Sequence, residues 1–528
     1  MIHCSLNTAL RIAELEETNA QLIAQIASVS AEFTAQIATL TQQIEWFRRQ
    51  LFGAKSEKQL VIDPAMQGNL LAALGVLTPP PPRIDPMQTV RYERRRKQRD
   101  AAVNDSGLRF GPEVPRQVVR IVDPVIEAIA PERRILIEEK VSYRLAQSPG
   151  SYTILELRRP VYKLLDEQRI VSAPAPANVL EKSVADVSLL AGLLIDKFCY
   201  HLPLYRQHQR ITHSGIQLSR TTLTNVSGRS IDLLRPVAVA LSAQVLASRV
   251  LAMDETPIKA GREKKGKMRA AYLWPIYGER EEVVFHYAPS REHRHVETFL
   301  VGFSGTLLTD GYAAYTAYAA KKDGITHANC MAHCRRGFDE AKESEPQASA
   351  EALALIGALY RHEQIIRERA LEGAEKLAYR TEHSEPIMKA FWRWCDAQCH
   401  RVDLLPSNPL AKAIQYAKAR QASLQVFLTD PDVPIDTNHL ERSLRVIPTG
   451  KKNWLFCWTE IGAERVAVIQ SLLVTCRLQG VDPYTYLVDV LQRVAEHPAS
   501  RVGELTPREW KARFADNPMR SLLARAGQ

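Results

Sequence analysis

Two short apolar runs that each end in an aspartate restrict the fold of this chain more than any other feature. Arg249–Met253 leads into Asp254, and we expect Pro257 to stop the strand ladder just beyond it. Gly305–Thr309 leads into Asp310 in the same way. A carboxylate at a strand end offers the hard oxygen ligands that Mg²⁺ prefers in proteins. The pattern therefore predicts two apolar strands that each deliver one acidic side chain.

The segments around these aspartates complete the order of a known α/β architecture. Two β-like runs, residues 268–277 and 282–288, and a helical run, residues 294–302, separate the two strands. A ribonuclease H-like core has this order: a strand that ends in an aspartate, two further strands, a helix, and another strand that ends in an aspartate. In that fold, neighbouring strands bring the two aspartates together. We predict such a catalytic core over residues 249–480, with a helical insertion at about residues 340–422.

A third acidic residue lies beyond the insertion, where residues 435–445 open a helix. Asn438 and Glu441 are three residues apart and share a helix face, as do Glu441 and Arg445. Taken alone, Glu441 would be interpreted as a surface residue paired with Arg445, but the two aspartates favour a role beside them. Asp436 is the nearest competitor, and its position before the helix suits a cap for the first turn. We therefore predict that Glu441 completes the site.

Length and composition limit the class of protein. A chain of 528 residues predicts about three domains, on a prior of roughly 100 to 200 residues each. No apolar run approaches the roughly 20 residues of a membrane helix, and no secretory signal opens the sequence. Eight scattered cysteines fit reducing surroundings, so we expect a cytoplasmic protein. A net charge of +10 favours a polyanionic partner, although many basic proteins bind no nucleic acid.

The N-terminal part predicts a self-associating helix followed by a tether. Apolar residues recur in steps of three and four over residues 10–50, with Asn19 at an a position and one stutter after Phe33. This pattern predicts a coiled coil that makes the protein a homo-oligomer; the alternative is one amphipathic helix packed on the rest of the chain. Residues 78–117, rich in proline and arginine, predict a basic linker that either contacts phosphates or is merely solvated.

Two smaller regions precede the core and one follows it. Short β-rich runs predict a small β module at residues 118–177, and residues 481–528 predict a helical tail. Residues 182–248 predict helices, and one stretch resembles a helix-turn-helix whose second helix is capped by Ser219. That helix presents side chains suited to DNA contact near its N-terminal end: Arg220, Thr221 and Asn225. Helical hairpins are also common in proteins that bind no DNA.

Several motifs of the chain match one family of mobile-element proteins. Those around the predicted site are Asp254-Glu-Thr-Pro257, Leu308-Thr-Asp310-Gly-Tyr312, Cys330-Met-Ala-His333 and Asn438-His-Leu-Glu441-Arg442. Further matches lie at Phe47–Lys58, Gly450–Phe456, Gly480–Leu487 and His497–Pro498. Together they resemble the insertion-sequence sixty-six family of DDE transposases, over nearly the whole chain.

This resemblance implies a function, a site and partners. It implies a DNA transposase with Asp254, Asp310 and Glu441 as catalytic residues and as ligands of two Mg²⁺ or Mn²⁺ ions. Water would free a 3′-hydroxyl at the element's end, and that hydroxyl would attack target DNA without a covalent protein intermediate. Basic side chains near Glu441 would contact phosphates or be merely solvated: Arg442, Arg445, Lys451 and Lys452. The implied partners are the element's terminal repeats, target DNA and helper proteins of the same element, at the bacterial nucleoid.

Two departures from the family pattern change what it implies. Family members carry a zinc-binding module of paired cysteines after the linker, whereas residues 111–177 contain no cysteine and no histidine. We therefore expect no structural zinc there, since zinc sites need about four such ligands. Met331 stands where the family has a tryptophan, which removes an aromatic contact and leaves the carboxylates unchanged.

Three alternative interpretations remain open. A ribonuclease H-like nuclease or resolvase would cut without joining, and a strand-transfer assay separates it from a transposase. A noncatalytic DNA-binding protein derived from a transposase is disfavoured by the intact carboxylates. The third is a zinc site, without the doubled Cys-x-x-Cys spacing that would support it, at Cys330, His333 and Cys334 or at Cys395, Cys399 and His400.

The heptad pattern leads to a test of oligomerisation. Leu22→Glu combined with Ile26→Glu places charges in the apolar seam, so the oligomer should dissociate. Light scattering measures the mass, and Gln21→Glu with Gln25→Glu, which alters neighbouring positions off the seam, is the control. An unchanged mass for the seam variant would contradict the coiled coil.

Overall fold

The computed structural model describes residues 108–526, except 113, 149, 167, 265–266, 455–456 and 458, and also describes Asn19, Gln21 and Gln25 as helical and exposed. Apart from those three residues, the predicted coiled coil at residues 10–50 lies outside the described residues, as does most of the linker at residues 78–117. Both stay predictions. No helix in the described part is long and apolar enough to cross a membrane.

The strands of the described residues form three sheets. They are β1 (Arg109–Phe110), β2 (Arg116–Arg120), β3 (Arg134–Ser148), β4 (Ser151–Leu164), β5 (Arg169–Ser172), β6 (Ile216–Gln217), β7 (Val250–Met253), β8 (Thr256–Lys264), β9 (Lys267–Gly278), β10 (Glu282–Ala288), β11 (Gly305–Thr309) and β12 (Ile325–Asn329). One sheet joins β1 and β6, and a second has the order β2-β4-β3 with β5 also on β4. The largest has the order β10-β9-β7-β11-β12 with β8 also on β9.

Helices precede, cover and interrupt the largest sheet. They are α1 (Pro124–Glu127), α2 (Val187–Phe198), α3 (Leu204–His213), α4 (Arg220–Leu246), α5 (His293–Phe299), α6 (Ala313–Lys321), α7 (Met331–Glu340), α8 (Pro346–Glu368), α9 (Gly373–Tyr379), α10 (Glu385–Cys399), α11 (Pro409–Lys418), α12 (Gln421–Leu424), α13 (Val426–Thr429), α14 (Asn438–Leu444), α15 (Val446–Trp454), α16 (Glu460–Leu478), α17 (Pro483–Arg493), α18 (Pro507–Phe514) and α19 (Leu522–Ala526). Short 3-10 turns lie at Pro131–Arg133, Ala341–Glu343 and Ala499–Leu505, and a π turn at Arg380–Ser384.

The β-rich runs before the core form strands, as predicted. β3 and β4 make a long antiparallel hairpin that reverses at Gly150, whose φ of 84° suits a residue without a Cβ. The far end of β3 is joined to the start of the helical region, because Leu145 donates its N–H to the Val184 carbonyl over 2.7 Å and accepts from the Asp186 N–H over 2.8 Å. The sheet therefore leads directly into α2.

The centre of the largest sheet is made by β7, which pairs antiparallel with β9 and parallel with β11. All four residues of β7 are buried, which explains its continuous apolar sequence, since a strand covered on both faces needs no polar alternation. Leu308 lies opposite Ala252 in the parallel ladder. Asp254 and Asp310 each follow these partners by two residues, so the register brings both to the same sheet edge.

One expectation about this sheet is wrong. Pro257 does not stop the ladder, because β8 begins at Thr256 and pairs antiparallel with β9, with Pro257 opposite Tyr272. Three strands rather than two therefore lie between the aspartates. Proline is tolerated at the edge of a sheet because its missing N–H is not needed for pairing there. The break in pairing falls at Asp254 and Glu255 instead, where the chain leaves β7.

Helix α16 covers the outer edge of the sheet. β10 is the last strand on that side, and its N–H groups at Val283 and Phe285 donate to the hydroxyls of Thr475 and Ser471, over 3.1 and 2.8 Å. Both hydroxyl residues are buried in α16. Side chains of a helix thus satisfy backbone groups that an exposed edge strand would leave open to another chain.

Helices run from Met331 to Thr429, a wider range than the residues 340–422 for which a helical insertion is predicted. Its interior contains a fully buried guanidinium, that of Arg380, which donates to both Glu363 oxygens over 2.9 Å. Its remaining nitrogen donates to the carbonyls of Phe427 and Val433, over 2.6 and 3.2 Å. Arg380 therefore holds the segment through which the chain returns to the sheet.

This buried pair gives a stability prediction. Arg380→Met should destabilise the protein by about 3–5 kcal/mol, because Glu363 is left as an unpaired buried charge. Lys389→Met is the matched control, since Lys389 makes an exposed pair with Glu385 worth about 0.5 kcal/mol. Urea unfolding compares the two. A shift for Arg380→Met no larger than that of the control would contradict the role assigned to Arg380.

Candidate active site

Asp254 and Asp310 occupy equivalent places at the ends of two adjacent parallel strands. Asp254 Oδ1 accepts the N–H of Glu255 over 2.7 Å, and Asp310 Oδ1 accepts the N–H of Tyr312 over 2.8 Å. Each carboxylate is half-buried. Asn329, at the end of the next strand, donates to the Asp310 carbonyl over 2.6 Å and so ties this strand end to its neighbour.

Glu441 is brought to the same edge by helix α14, whose start is tied to the end of β12. The Met331 N–H donates to the Ile435 carbonyl over 3.0 Å. The N–H and the hydroxyl of Thr437 both donate to the Cys330 sulfur, each over 3.3 Å. Burial raises the pKa of the Cys330 thiol, which keeps it neutral. Cys330 therefore acts here as a structural acceptor that positions the helix carrying Glu441.

Asp436 lies one residue before the N-cap of α14, which is Thr437, so it is not itself the cap residue expected from sequence, although it bonds the first residue of the helix. It is buried and accepts the backbone N–H of Asn438 over 3.0 Å and the Asn438 amide over 2.5 Å. Both bonds order the first turn of α14. Within the described residues, Glu441 and Arg445 form no ion pair, so the surface pair considered from sequence is not present; the basic group nearest to Glu441 Oε1 is His333 Nε2, 3.9 Å away.

The carboxylates influence one another electrostatically. The pKa of Asp254 is raised to about 7, chiefly because the carboxyl is buried. The negative charges of Asp310 and Glu441 act in the same direction, while the N–H of Glu255 opposes the shift. Burial and Arg336 lower the pKa of His333, against the charges of Asp310 and Glu441. The carboxylates of Asp254, Asp310 and Glu441 and the imidazole of His333 therefore interact electrostatically.

Glu255, which the sequence analysis did not single out, is the centre of a network beside the aspartates. Its side chain is only 2% exposed and makes a salt bridge with Arg291. The Tyr315 hydroxyl donates to its other oxygen. Arg291 also lies over the ring of Tyr312, 4.0 Å from the centroid, and the Tyr312 hydroxyl donates to the Arg291 carbonyl over 2.6 Å. The network joins the residues that follow both aspartates.

The insertion packs directly on the loop after Asp310. Arg420 donates to the Gly311 carbonyl over 3.0 Å and lies over the ring of Tyr416, 3.9 Å from the centroid. A Cβ at Gly311 would come within 2.5 Å of the Tyr416 hydroxyl, so only glycine permits this approach. The helical insertion therefore helps to fix the position of Asp310.

No group of three or more His, Cys, Asp or Glu side chains in the described residues is close enough to hold a metal ion. The cysteines and histidines of the two alternative zinc sites therefore do not come together as a metal site. The three predicted carboxylates do not lie within coordination distance of one another either. The donors themselves suit a hard cation, because all three side chains offer carboxylate oxygens. In this structure Asp254 and Asp310 accept neighbouring backbone N–H groups.

The predicted DNA-contact residues lie on two surfaces. Helix α3 ends at His213, and Ser219 caps α4 by accepting the Thr222 N–H over 3.0 Å, as predicted. The side chains expected to contact DNA are exposed at the start of α4: Arg220, Thr221 and Asn225. Arg442 and Arg445 are exposed on α14. Lys451 on α15 donates to the Pro257 carbonyl over 3.0 Å, and Lys452 follows it in the helix.

Comparison with known proteins gives two family matches. Residues 182–465 match the model of the Transposase IS66 family, and residues 471–508 match the IS66 C-terminal element. Three uncharacterized proteins of Sinorhizobium fredii strain NGR234 are similar along much of their length. Protein y4hP is 32% identical over 72% of this chain and 72% of its own, and y4qI is 31% identical over 75% and 76%. Protein y4jD is 30% identical over 90% of this chain and 94% of its own.

The Glu255 network gives a prediction about the site's stability. Glu255→Gln keeps the shape but removes the charge that Arg291 and Tyr315 contact, so it should cost about 1.5–3 kcal/mol, as for hydrogen bonds to charged groups. Glu292→Gln is the control, because its pair with Arg294 is exposed and worth below about 1 kcal/mol. Chemical denaturation measures both, and equal effects of the two variants would show that Glu255 does not organise the site.

Proposed function

The chain belongs to the IS66 family of transposases, and from this premise we propose that it is a catalytically active DDE transposase. In this proposal it cleaves DNA at the ends of an insertion sequence and transfers the freed strands to target DNA. The observation that carries the proposal is the register of β7 and β11, in which Asp254 and Asp310 each follow a paired residue by two positions at the same sheet edge. The ties between Cys330 and Thr437 hold the helix of Glu441 at that edge.

We propose that the core is ribonuclease H-like. The sheet order β10-β9-β7-β11-β12 supports this, because β7, the first strand of the core, lies at the centre. The antiparallel hairpin of β9 and β10 lies on one side of it, and β11 and β12, both parallel to β7, lie on the other. The helical insertion enters after β12 and returns at α14, so both ends of the insertion meet the carboxylate edge.

Asp254, Asp310 and Glu441 would hold two divalent cations, Mg²⁺ or Mn²⁺. Carboxylate oxygens are the ligands these ions take, together with water and substrate phosphate. When bound, such ions neutralise the charge that develops on the attacking and leaving oxygens of a phosphodiester. Burial, with the charges of Asp310 and Glu441 acting in the same direction, raises the pKa of Asp254, and a cation bound there would stabilise the charged form of its carboxylate. No structural zinc is part of the proposal.

The DNA chemistry proceeds in two displacements at one site. Water attacks a phosphorus atom at the element's end, the bond to the 3′-oxygen breaks, and a 3′-hydroxyl and a 5′-phosphate result. The 3′-hydroxyl then attacks a phosphorus atom of target DNA, forming a new phosphodiester as a target 3′-oxygen leaves. The chain's own part is to hold its carboxylates in register for both displacements. Neither step requires a covalent bond to the protein.

DNA contacts would come from surfaces outside the carboxylates. The exposed start of α4 would contact the terminal repeats through Arg220, Thr221 and Asn225, and Lys451 and Lys452 would contact phosphates near the site. Residues 10–50 would join copies of the chain, which suits a reaction on two element ends. Helper proteins of the same element and association with the nucleoid belong to the same proposal.

Two other functions share the same residues. A ribonuclease H-like nuclease would release cut DNA without joined products. A noncatalytic DNA-binding protein derived from a transposase would bind element ends without cutting them. Incubation of the purified protein with labelled element-end DNA, target DNA and Mg²⁺ distinguishes all three, because only a transposase yields both cleaved and joined strands.

The third carboxylate gives the sharpest prediction of this proposal. Glu441→Gln keeps the side chain's shape but removes its charge, so DNA binding should survive while cleavage falls by orders of magnitude. Asp436→Asn is the matched control. It weakens the bonds that Asp436 accepts from Asn438 at the start of α14, at a cost on the order of 1 kcal/mol, and should retain cleavage. Near-parental cleavage by Glu441→Gln together with loss of cleavage in Asp436→Asn would assign the role to Asp436 instead.

A further inference from the structure

Helix α14 borders a cavity on a side that the carboxylates do not use. The cavity has a volume of about 450 Å³, and its lining includes Arg442, Arg445 and Arg477 together with Tyr277 and Val474. We call it the arginine pocket. The three arginines are exposed, whereas Tyr277 and Val474 are buried. The pocket therefore combines an apolar floor with a rim of guanidinium groups.

The arginines of this pocket lack acidic partners. Within the part of the chain that the structure describes, none of the three forms a salt bridge. Arg401, a half-buried arginine elsewhere in the chain, is by contrast paired with both Asp403 and Glu345. One carboxylate, that of Glu281, shares the lining of the pocket with the three guanidinium groups. The excess of positive charge predicts an anionic ligand, since an anion would relieve the repulsion among them.

The pocket is separate from the candidate active site. Glu441 faces His333 of α7, while the next residue, Arg442, lines the pocket beside Tyr277 of β9. His439 packs edge-on against the Tyr277 ring, with centroids 4.7 Å apart, and lines the same cavity. Neighbouring residues of one short helix thus serve two different sites.

We propose that the arginine pocket binds the phosphodiester backbone of a DNA strand, apart from the strand position that is cut. This inference rests on the proposed function for the identity of the anion as DNA. A guanidinium presents a planar fork of donors that matches phosphate geometry, and three of them can follow successive phosphates. The buried face of Tyr277 and Val474 offers an apolar surface to the sugars. Such contacts add affinity by releasing condensed counterions and carry no sequence information.

Salt dependence of DNA binding tests the proposal. The full-length protein is titrated, without divalent cations, against fluorescent duplexes of element-end and unrelated sequence over a range of salt concentrations. Arg477→Gln and Arg445→Gln should each weaken binding to both duplexes equally and reduce the slope of log K against log salt by about 0.9, the value for one lost phosphate contact. Arg401→Gln removes the same charge from a paired arginine elsewhere and should leave the slope unchanged.

The outcomes separate this inference from the proposed function. Slopes unchanged in both pocket variants would overturn the pocket as a DNA site. Binding of inorganic phosphate or deoxyadenosine monophosphate that is lost in the variants, with unchanged DNA slopes, would assign the pocket to a small phosphate compound and also overturn it. Slopes reduced as predicted in the two variants, together with a parent protein that cleaves no DNA, would contradict the proposed catalysis and still support the pocket. A parent without DNA affinity would contradict both.

Discussion

The parallel pairing of β7 with β11 is the constraint on which the rest of the site depends. Because Leu308 lies opposite Ala252, the residues two positions further along each strand, Asp254 and Asp310, reach the sheet edge at the same level. A shift of one residue in either strand would turn its side chains to the other face of the sheet. Continuous burial of β7 resists such a shift, since any other register would bring polar residues into the core. The geometry of the proposed site is therefore a consequence of core packing.

Different contacts hold Glu441, because the chain reaches its position only after a long helical segment outside the sheet. Arg380 holds the end of that segment through the carbonyls of Phe427 and Val433, and the buried Cys330 sulfur then receives the Thr437 donors at the start of α14. A fully buried guanidinium is costly unless every donor has an acceptor, which makes the arrangement specific to one path of the chain. The helices between β12 and α14 thus help to position the third carboxylate and also pack on the loop after Asp310.

Much of the core could be predicted from sequence where a single pattern governs a segment. The runs 282–288 and 305–309 form strands with the predicted bounds, because short, mostly apolar runs between turn formers favour strands. The strand containing Pro257 was missed, because its place at a sheet edge depends on a partner strand that local sequence does not identify. Glu255 was missed for a similar reason: Tyr315, one of its partners, lies 60 residues away. Side-chain networks of this kind come from tertiary packing, which periodicity does not encode.

The central claim is that three carboxylates from separate parts of the chain form one cation site at this sheet edge. Crystals grown with Mn²⁺ and element-end DNA, measured at a wavelength where manganese scatters anomalously, test it most directly. The account predicts two anomalous peaks roughly 3.5–4 Å apart between Asp254, Asp310 and Glu441, as in two-metal sites generally. Peaks bound by Asp436 in place of Glu441, or an edge without manganese while the DNA is in place, would contradict it.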